Sequence, residues 1–290
     1  MLTFHWNERY AADGARDLVR GSLLSGRARE LADQQRAQEA AIDMEWVHAM
    51  APMAKIYLVE AASSGLSDMM QAVQVAANLP AVRQVSMSWG SLDLACSYVH
   101  YDDMFVKSGV VFFAASGDSG GVRNFPALSR NVVAVGGTNL NVTAGGAWVA
   151  ETVWSSTGCG KSGSEPRPAF QDAVYAKVGL YRGSCDLSAV ADPATGVAAY
   201  DSYEYGGIAG WFTVGGTSVS CQIIAGIVNS TGVTFAGSRA FNAKLYSGIG
   251  GSAYHDVTSG IAGSMHAGPG WDFPTGVGTP LALGAFFGGS

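Results

Sequence analysis

The stretch Gly215-Gly216-Thr217-Ser218, followed by the apolar run Val219 to Val228, decides how the rest of the chain is interpreted. A glycine pair lets the backbone approach a bound substrate closely, and the apolar run predicts a buried helix with Ser218 at its start. A nucleophile is well placed there. Taken alone, the commoner role for Thr217 or Ser218 is to cap a core helix, so the remaining sequence has to decide.

The composition narrows the classes of function. The chain has 290 residues, enough for one large domain or two small ones, and carries 39 glycines, 14% charged residues and a formal net charge of -6. This charge balance gives no reason to expect nucleic acid as a partner. A low charge density also limits repulsion when carboxylates are protonated, so the composition is compatible with acid conditions.

The lengths of the apolar runs and the N-terminal segment indicate whether a membrane span or a signal peptide is present. The apolar runs are broken well before the roughly 20 residues that a membrane span requires, so we expect no membrane partner. Met1 to Tyr10 lacks the basic-then-apolar order of a signal peptide.

Strands alternate with helices through the first half of the chain, which predicts the α/β class with a mostly parallel central sheet and helices on both faces. Ligands bind such sheets at the carboxyl ends of the strands. Gly136 to Gly216 predicts loops and hairpins on the same domain. The predicted helices are Arg27 to Met50, one capped by Ser67 that ends before Pro80, and one around Tyr98 to Lys107. The predicted strands are Lys55 to Val59, Gln84 to Trp89, Val110 to Ala115, and Val132 to Val135.

The four cysteines form no Cys-x-x-Cys metal or redox pattern. Cys159 and Cys185 flank a Gly-rich loop region and could form a disulfide, which would fit an oxidising compartment. Cys221 lies in the apolar helix and is expected to be a buried free thiol, with a bridge to Cys96 left open.

Glu39 and Asp43 lie four positions apart on the first predicted helix, so their carboxylates share one face. Close like charges resist double ionisation, and such a pair holds one proton between its members. The alternative is a solvated acidic face. Apolar neighbours such as Ile42 and Met44 keep the functional interpretation open.

Gly117-Asp118-Ser119-Gly120-Gly121 matches the nucleophile motif of chymotrypsin-like proteases. None of the five histidines has the sequence context of the catalytic histidine in those enzymes. The parallel βα pattern also contradicts their β-barrels. We therefore interpret this segment as a loop at the end of a strand, where Asp118 is available for another role.

Asp256 and Asp272 lie on Gly-rich loops near the end of the chain. Two carboxylates among available backbone carbonyls offer oxygen ligands of the kind Ca²⁺ accepts. Asp in such loops more often makes turns, so this signal alone is weak.

Together these segments resemble the sedolisin family, the serine-carboxyl peptidases with a subtilisin-like fold, from about Gln38 to Leu283. The matching segments occur in family order. They are Glu39-x-x-x-Asp43 with Ala51-Pro52, Ser88-Trp89-Gly90, Ala115 to Gly120, Phe125-Pro126-Ala127, Val135 to Thr138, Ala191-Asp192-Pro193-x-Thr195-Gly196, Gly216-Thr217-Ser218, and the loops from Asp256 to Asp272.

The resemblance implies roles for four residues. Ser218 would be the nucleophile, Glu39 its general base, Asp43 the partner that orients Glu39 and shares its proton, and Asp118 the oxyanion-hole donor. A carboxyl group donates to an oxyanion only while protonated, so acid pH would be required. Glutamate would replace histidine as the base because imidazole is cationic at that pH.

The resemblance also implies one Ca²⁺ site. Asp256 and Asp272 match the family's calcium carboxylates, and the carbonyls of Val257, Gly268 and Gly270 match its backbone ligands. Trp89 matches a tryptophan that extends the carboxylate network in some members.

The chain departs from the family pattern in three places. Met1 to Gln38 contains no recognisable pro-domain and no convincing Gly-rich strand, so we expect the sheet to lack an edge strand. Val219 to Gln222 replaces the usual small apolar residues and proline after the serine. Cys185 stands where a proline would precede Asp186.

The expected function is an acid-active, calcium-dependent serine endopeptidase that cleaves proteins or peptides through an acyl-enzyme on Ser218. We expect one peptidase domain over residues 1–290 with a calcium-binding loop region at 256–272, a monomer, and an extracellular or other acidic exported compartment. One alternative is a catalytically inactive sedolisin-like binding or structural protein that lacks the first strand. The other is a tripeptidyl-peptidase.

Overall fold

The computed structural model describes residues 2–6, 26–93, 98–205, 208–281 and 283–286, and the side chains in these ranges apart from 2–6, 26–36, 204–205 and 208. The α-helices are α1 Gly26–Met50, α2 Leu66–Ala77, α3 Tyr175–Val178, α4 Thr217–Ser230 and α5 Ser238–Tyr246. The strands are β1 Leu2–Trp6, β2 Tyr57–Ala61, β3 Gln84–Met87, β4 Ser91–Leu92, β5 Val111–Ala115, β6 Asn124–Phe125, β7 Val133–Val142, β8 Trp148–Val153, β9 Gly160–Pro166, β10 Tyr181–Ser184, β11 Leu187–Val190, β12 Val197–Tyr205, β13 Ile208–Val214, β14 Tyr254–His255, β15 Ile261–Ala262, β16 Met265–His266 and β17 Thr279–Pro280. Short 3-10 helices span Val99–Phe105, Ala169–Val174, Pro193–Thr195 and Leu283–Phe286.

A parallel sheet forms the centre of the fold. Its strands lie in the order β11-β7-β5-β3, and β8 adds an antiparallel strand along the second half of the long strand β7. The predicted α/β class with a mostly parallel sheet is confirmed. The carboxyl ends of β3 and β5 therefore lie side by side at one edge.

Helices cover both faces of this sheet, as the alternation of side chains along β5 shows. Val111 and Phe113 are buried in the same cluster as residues of α1, α4 and α5. Phe112 and Ala114 point the other way and are buried with residues of α2. A strand that is buried on both faces has to be apolar at every position, which explains the continuous apolar run in the sequence.

The expectation that the chain lacks a strand before the first helix is wrong. β1 pairs in parallel with β2 over five residues, from Leu2 opposite Tyr57 to Trp6 opposite Ala61, and it also lies against β3. The expectation failed because it sought a Gly-rich strand. The segment Leu-Thr-Phe-His-Trp has the alternating pattern of an ordinary short strand.

The region Gly136 to Gly216 is more regular than the sequence suggested. It contains the hairpin of β12 and β13 and also β11, which is a strand of the central sheet. The parallel strand β11 has only four residues, too few for a clear periodic signal among glycine and serine.

Two helix predictions and one strand prediction also need correction. Ser67 lies inside α2 rather than capping it, because the cap position is taken by Gly65 with extended backbone. The helix predicted around Tyr98 to Lys107 is a 3-10 helix over Val99–Phe105. The strand predicted at Lys55 to Val59 is displaced by two residues, to Tyr57–Ala61.

The disulfide considered for Cys159 and Cys185 is not formed in the structure. Cys159 and Cys185 are both free and fully buried, and they belong to one small apolar cluster with Val257 and Ala262. Burial raises the pKa of the Cys159 thiol to about 12, so this group packs as a small apolar side chain. Cys221 is a buried free thiol as expected. Cys96 lies outside the described residues.

Within the described ranges, no helix is both long and apolar enough to span a membrane.

Candidate active site

The segment Gly215 to Ser218 leads from β13 into α4 at the carboxyl edge of the sheet. α4 begins at Thr217, so Ser218 is its second residue and is partly exposed. The cap position is Gly216, and no side chain caps the helix. The capping role that competed for Thr217 and Ser218 is therefore not the one these side chains have.

Gly216 has a backbone conformation that favours glycine, with φ of 119°. A Cβ atom at this position would lie 2.9 Å from Asp118 Oδ2. Glycine is therefore required both by its own backbone angles and by the close approach of the Asp118 carboxyl.

Asp118 lies in the loop after β5 and is tied to the start of α4 by one residue. Thr217 donates its backbone N–H and its hydroxyl to Asp118 Oδ1, at 2.8 and 2.7 Å. The Thr217 hydroxyl also accepts a hydrogen bond from the backbone N–H of Gly117 at 3.0 Å. The Asp118 carboxyl thus lies beside the residue that precedes Ser218.

The carboxylates of Glu39 and Asp43 come from α1, which packs along α4. A Cβ on Gly226 of α4 would lie 2.5 Å from Met50 Cβ of α1, so glycine allows the two helices to approach closely. Asp43 is fully buried and Glu39 partly buried. The alternative of a solvated acidic face is therefore wrong for Asp43.

A short hydrogen-bonded chain connects Asp43 to α4. Ser88, which follows β3, donates its hydroxyl to Asp43 Oδ1 at 3.0 Å. The same hydroxyl oxygen accepts a hydrogen bond from Gln222 Nε2 at 3.0 Å. Gln222 lies one helical turn after Ser218, so this chain joins Asp43 of α1 to the helix that carries Ser218. α4 also contacts β3 and β5.

Trp89 follows Ser88 and packs edge-on against Phe125, with ring centroids 6.4 Å apart. Its indole nitrogen is buried and has no hydrogen-bond partner among the described residues. The structure therefore gives it a packing role and shows no extension of the carboxylate network through it.

The two C-terminal aspartates both bind the backbone of the segment 268–270. Asp256 Oδ2 accepts from the backbone N–H of Gly270 at 2.8 Å, and Asp272 Oδ2 accepts from that of Gly268 at 3.0 Å. Asp256 Oδ1 is buried and has no hydrogen-bond partner among the described residues. A buried carboxylate oxygen without a partner is costly unless a cation satisfies it, so this donor set fits a hard cation.

The charge state of Asp272 agrees with this fit. Burial raises its pKa to about 6, against the opposing effect of hydrogen bonds from Gly268 and Thr275 and of the Lys177 charge. A buried carboxylate whose ionised form is disfavoured is the kind of group that a bound cation stabilises. Within the described ranges there is no cluster of three or more His, Cys, Asp or Glu side chains for a metal, so any ion here would depend on two carboxylates and backbone carbonyls.

Sequence reasoning missed three residues of this site. Thr217 was considered as a cap and as part of a motif, Ser88 only as part of a motif, and Gln222 only as a departure from a family pattern. The one available signal was the position of Gln222. It lies four residues after Ser218, and residues four apart on a helix share a face, so it could be expected near the site.

The fold and site define a class of protein, and comparisons with known proteins agree with it. Residues 36–228 match the Subtilase family. The chain therefore belongs to the subtilisin-like serine peptidases, and the chymotrypsin-like interpretation of Gly117 to Gly121 is excluded by the fold.

Two curated relatives show which family of subtilisin-like peptidases the chain belongs to. The chain is 32% identical to sedolisin of Pseudomonas sp. (strain 101) over 77% of its own length, and 32% identical to kumamolisin of Bacillus sp. (strain MN-32) over 84%. It spans 43% and 49% of the lengths of these two curated relatives. The chain belongs to the sedolisin family.

Solved structures show the same relationship. The structure of Pseudomonas sedolisin, a serine-carboxyl proteinase complexed with pseudo-iodotyrostatin, matches 85% of this chain and 77% of its own, with a TM-score of 0.73 and 28% identity. Sphericase, at 22% identity and a TM-score of 0.53 over 79% of this chain and 69% of its own, shares the fold. The predicted subtilisin-like fold is confirmed.

Proposed function

We propose that this protein is an acid-active serine-carboxyl endopeptidase that hydrolyses peptide bonds in proteins or peptides through an acyl-enzyme on Ser218. The observation that carries the proposal is the attachment of Asp118 to Thr217, beside Ser218. Both Thr217 donors bind Oδ1 of Asp118, so a proton on the carboxyl group belongs on Oδ2. A protonated Oδ2 can donate to an oxyanion that forms at Ser218.

The chemical steps use the groups in these positions. Glu39 takes the proton from the Ser218 hydroxyl as the oxygen attacks the scissile carbonyl carbon, and Asp43 shares that proton with Glu39. Asp118 donates to the negative oxygen of the tetrahedral intermediate. The intermediate collapses, the amine leaves with a proton from the Glu39–Asp43 pair, and water then hydrolyses the acyl-enzyme by the same steps.

A single Ca²⁺ is part of the proposal. Asp256, Asp272 and the carbonyls of Val257, Gly268 and Gly270 would hold it, and its contribution would be to fix the loops that carry them. This region lies against the Asp118 loop, since a Cβ on Gly121 would come within 2.9 Å of the carbonyl oxygen of Ala262. Ordered calcium loops would therefore also support the oxyanion-hole segment.

The organisation of the protein is proposed on the same basis. We infer a single peptidase domain over 1–290 that acts as a monomer on protein or peptide substrates in an extracellular or other acidic exported compartment. The low charged fraction of 14% supports operation at acid pH, where protonation of carboxylates would otherwise leave a large net positive charge.

The test is hydrolysis of a denatured protein at about pH 4 with Ca²⁺ present, comparing the wild type with Ser218→Ala and Glu39→Gln. Loss of a nucleophile or its base typically lowers the rate by several powers of ten. Glu45→Gln is the matched control, because Glu45 lies on the same helix and accepts a hydrogen bond from the Tyr200 N–H instead. A folded wild type without activity, or an activity maximum above about pH 7, would contradict the proposal.

The same assay separates the two alternatives. A tripeptidyl-peptidase needs a free amino terminus, so cleavage of an N-terminally acetylated peptide at an internal bond would exclude that activity as the only one. The non-catalytic alternative depended on a missing first strand, and β1 removes that reason for it. The non-catalytic alternative would be supported again only if the wild type is folded and inactive.

A further inference from the structure

Gln222 occupies a position that a purely structural role does not explain. Its side chain is fully buried, and Nε2 donates to the Ser88 hydroxyl, whereas Oε1 has no hydrogen-bond partner among the described residues. A buried acceptor without a partner costs about 1–3 kcal/mol. An apolar residue of similar size would avoid this cost, so stability alone favours replacement of the amide.

The hydrogen bond from Gln222 fixes the direction of the next one. The Ser88 hydroxyl has a single proton, and its oxygen is already engaged by the Gln222 amide. That proton is directed to Asp43 Oδ1, at 3.0 Å. Asp43 Oδ1 is thereby held as an acceptor, and a proton on Asp43 has to lie on the other oxygen.

We propose that Gln222 is a positioning residue for the carboxyl pair: through Ser88 it holds Asp43 as an acceptor, so that the proton shared with Glu39 stays between the two carboxyl groups. This proposal rests on the proposed peptidase function. Gln222 itself contacts no reacting atom. Its effect reaches the base Glu39 only through Ser88 and Asp43.

The other titratable groups around Asp43 do not offer the same control. Glu39 lies on the same helix as Asp43, and Cys221 faces Asp43 from α4. Asp118, in the loop after β5, is bound to Thr217 instead. Burial first, and then the charges of Asp43 and Glu39, raise the pKa of the Cys221 thiol to about 12, so it stays neutral at acid pH. Its sulfur pairs with the Ser86 hydroxyl at 3.2 Å instead.

The expected effect is on the acid side of the pH profile. A donor hydrogen bond favours the ionised form of a carboxyl group, so its loss makes the pair harder to ionise. In Gln222→Leu the acid limb of kcat/KM should move to higher pH by about half a unit to one unit, with kcat lowered about threefold to tenfold at the acid end and KM unchanged. Ser88→Ala should cause the same displacement.

Asn229→Leu is the matched control. Asn229 lies on the same helix two turns further on and donates from its amide to Gln84 of β3 at 2.6 Å, without a carboxyl group in the contact. Its replacement removes an equivalent helix-to-strand hydrogen bond and should leave the pH profile in place. The double variant Gln222→Leu with Ser88→Ala should shift the profile no further than either single variant, since both act on one chain of hydrogen bonds.

The outcomes separate this proposal from the function on which it rests. The expected result is a displaced acid limb in folded Gln222→Leu and Ser88→Ala, with partial recovery in Ser88→Thr, which keeps the hydroxyl. An unchanged pH profile in Ser88→Ala, while Glu39→Gln abolishes activity, overturns the positioning role and leaves the peptidase function intact. Full activity in Glu39→Gln overturns the function itself. If Gln222→Leu does not fold, Ser88→Ala decides alone.

Discussion

Thr217 donates two hydrogen bonds, from its backbone N–H and its hydroxyl, to a single oxygen of Asp118. The relationship joins the first residue of α4 to the loop after β5 and leaves Asp118 Oδ2 beside Gly216. In the proposed mechanism the two carboxyl oxygens have different tasks, because Oδ1 accepts from Thr217 and Oδ2 would donate to the substrate. The pH dependence of the proposed reaction follows from this arrangement.

Replacing Asp118 with asparagine should supply a hydrogen-bond donor that does not depend on protonation. The two Thr217 donors would hold the amide oxygen in the place of Oδ1 and direct the NH₂ group to the place of Oδ2. An amide donates at every pH, whereas a carboxyl group donates only while protonated, so under the proposed mechanism Asp118→Asn should lose less activity than the wild type as the pH rises. The measurement is kcat/KM from about pH 3 to pH 8.

Asp118→Ala supplies the contrast, since it has no donor at any pH. This variant should lower kcat by about a hundredfold to a thousandfold at every pH measured, as removal of an oxyanion donor does. A wild-type rate in Asp118→Ala would exclude the oxyanion role.

Gly216→Ala should be more damaging than an ordinary glycine substitution. The added Cβ meets Asp118 Oδ2 at 2.9 Å, whereas the same change at Gly232, which also has positive φ of 70°, meets nothing within 4 Å. Gly232→Ala should cost about 1 kcal/mol of stability from backbone strain alone, and Gly216→Ala should cost more and also lower kcat. Denaturant unfolding of both variants measures the difference, and equal losses with equal activity would contradict the close approach.

Glu165 should make the protein less stable as the pH rises. Arg130 Nε lies 2.7 Å from Glu165 Oε1 and 3.0 Å from Asp102 Oδ2, so one cation faces two buried carboxyl groups. Burial, followed by the hydrogen bond and charge of Asp102, raises the pKa of Glu165 to about 8. A raised carboxyl pKa means that the folded state holds the proton more tightly, so this stability is complete below about pH 4.5 and is lost as the pH rises to about 8.

Glu165→Gln should remove this part of the pH dependence, because an amide resembles the protonated acid at every pH. The midpoint of urea unfolding, measured at about pH 4.5 and pH 8, should fall in the wild type and fall less in the variant. Asp172→Asn is the control, since Asp172 is an exposed carboxylate paired with Arg167. If Glu165→Gln keeps the full wild-type difference, the cluster is not its source.

Chelation should lower the melting temperature if the C-terminal loops bind Ca²⁺. An ion that binds only the folded state stabilises it by mass action, by about 2.7 kcal/mol at a hundred times its dissociation constant. Asp256→Asn should have a lower melting temperature than the wild type in Ca²⁺ and should respond little to chelator. Identical melting curves of the wild type with and without chelator would count against the site.

The sequence predicted the central architecture well because buried parallel strands and amphipathic helices leave strong local patterns. Val111–Ala115 was recognised from its apolar run, and the long helix ending at Met50 from a stretch of helix-forming residues that Pro52 closes. The strands β1 and β11 escaped, because neither is the continuous apolar run that marks β5. Their identity depends on pairing with β2 and β7, which are distant in sequence.

The order of motifs along the sequence was enough to propose Glu39, Asp43, Asp118 and Ser218 as catalytic residues, because residue type and spacing are properties of the chain itself. What only the tertiary structure decided is how these residues are held. The links from Thr217 to Asp118 and from Gln222 through Ser88 to Asp43 span 99, 134 and 45 positions of sequence. No local pattern encodes contacts of that range, since they arise only when α1, β3, β5 and α4 pack around the same sheet and bury polar groups that must then find partners.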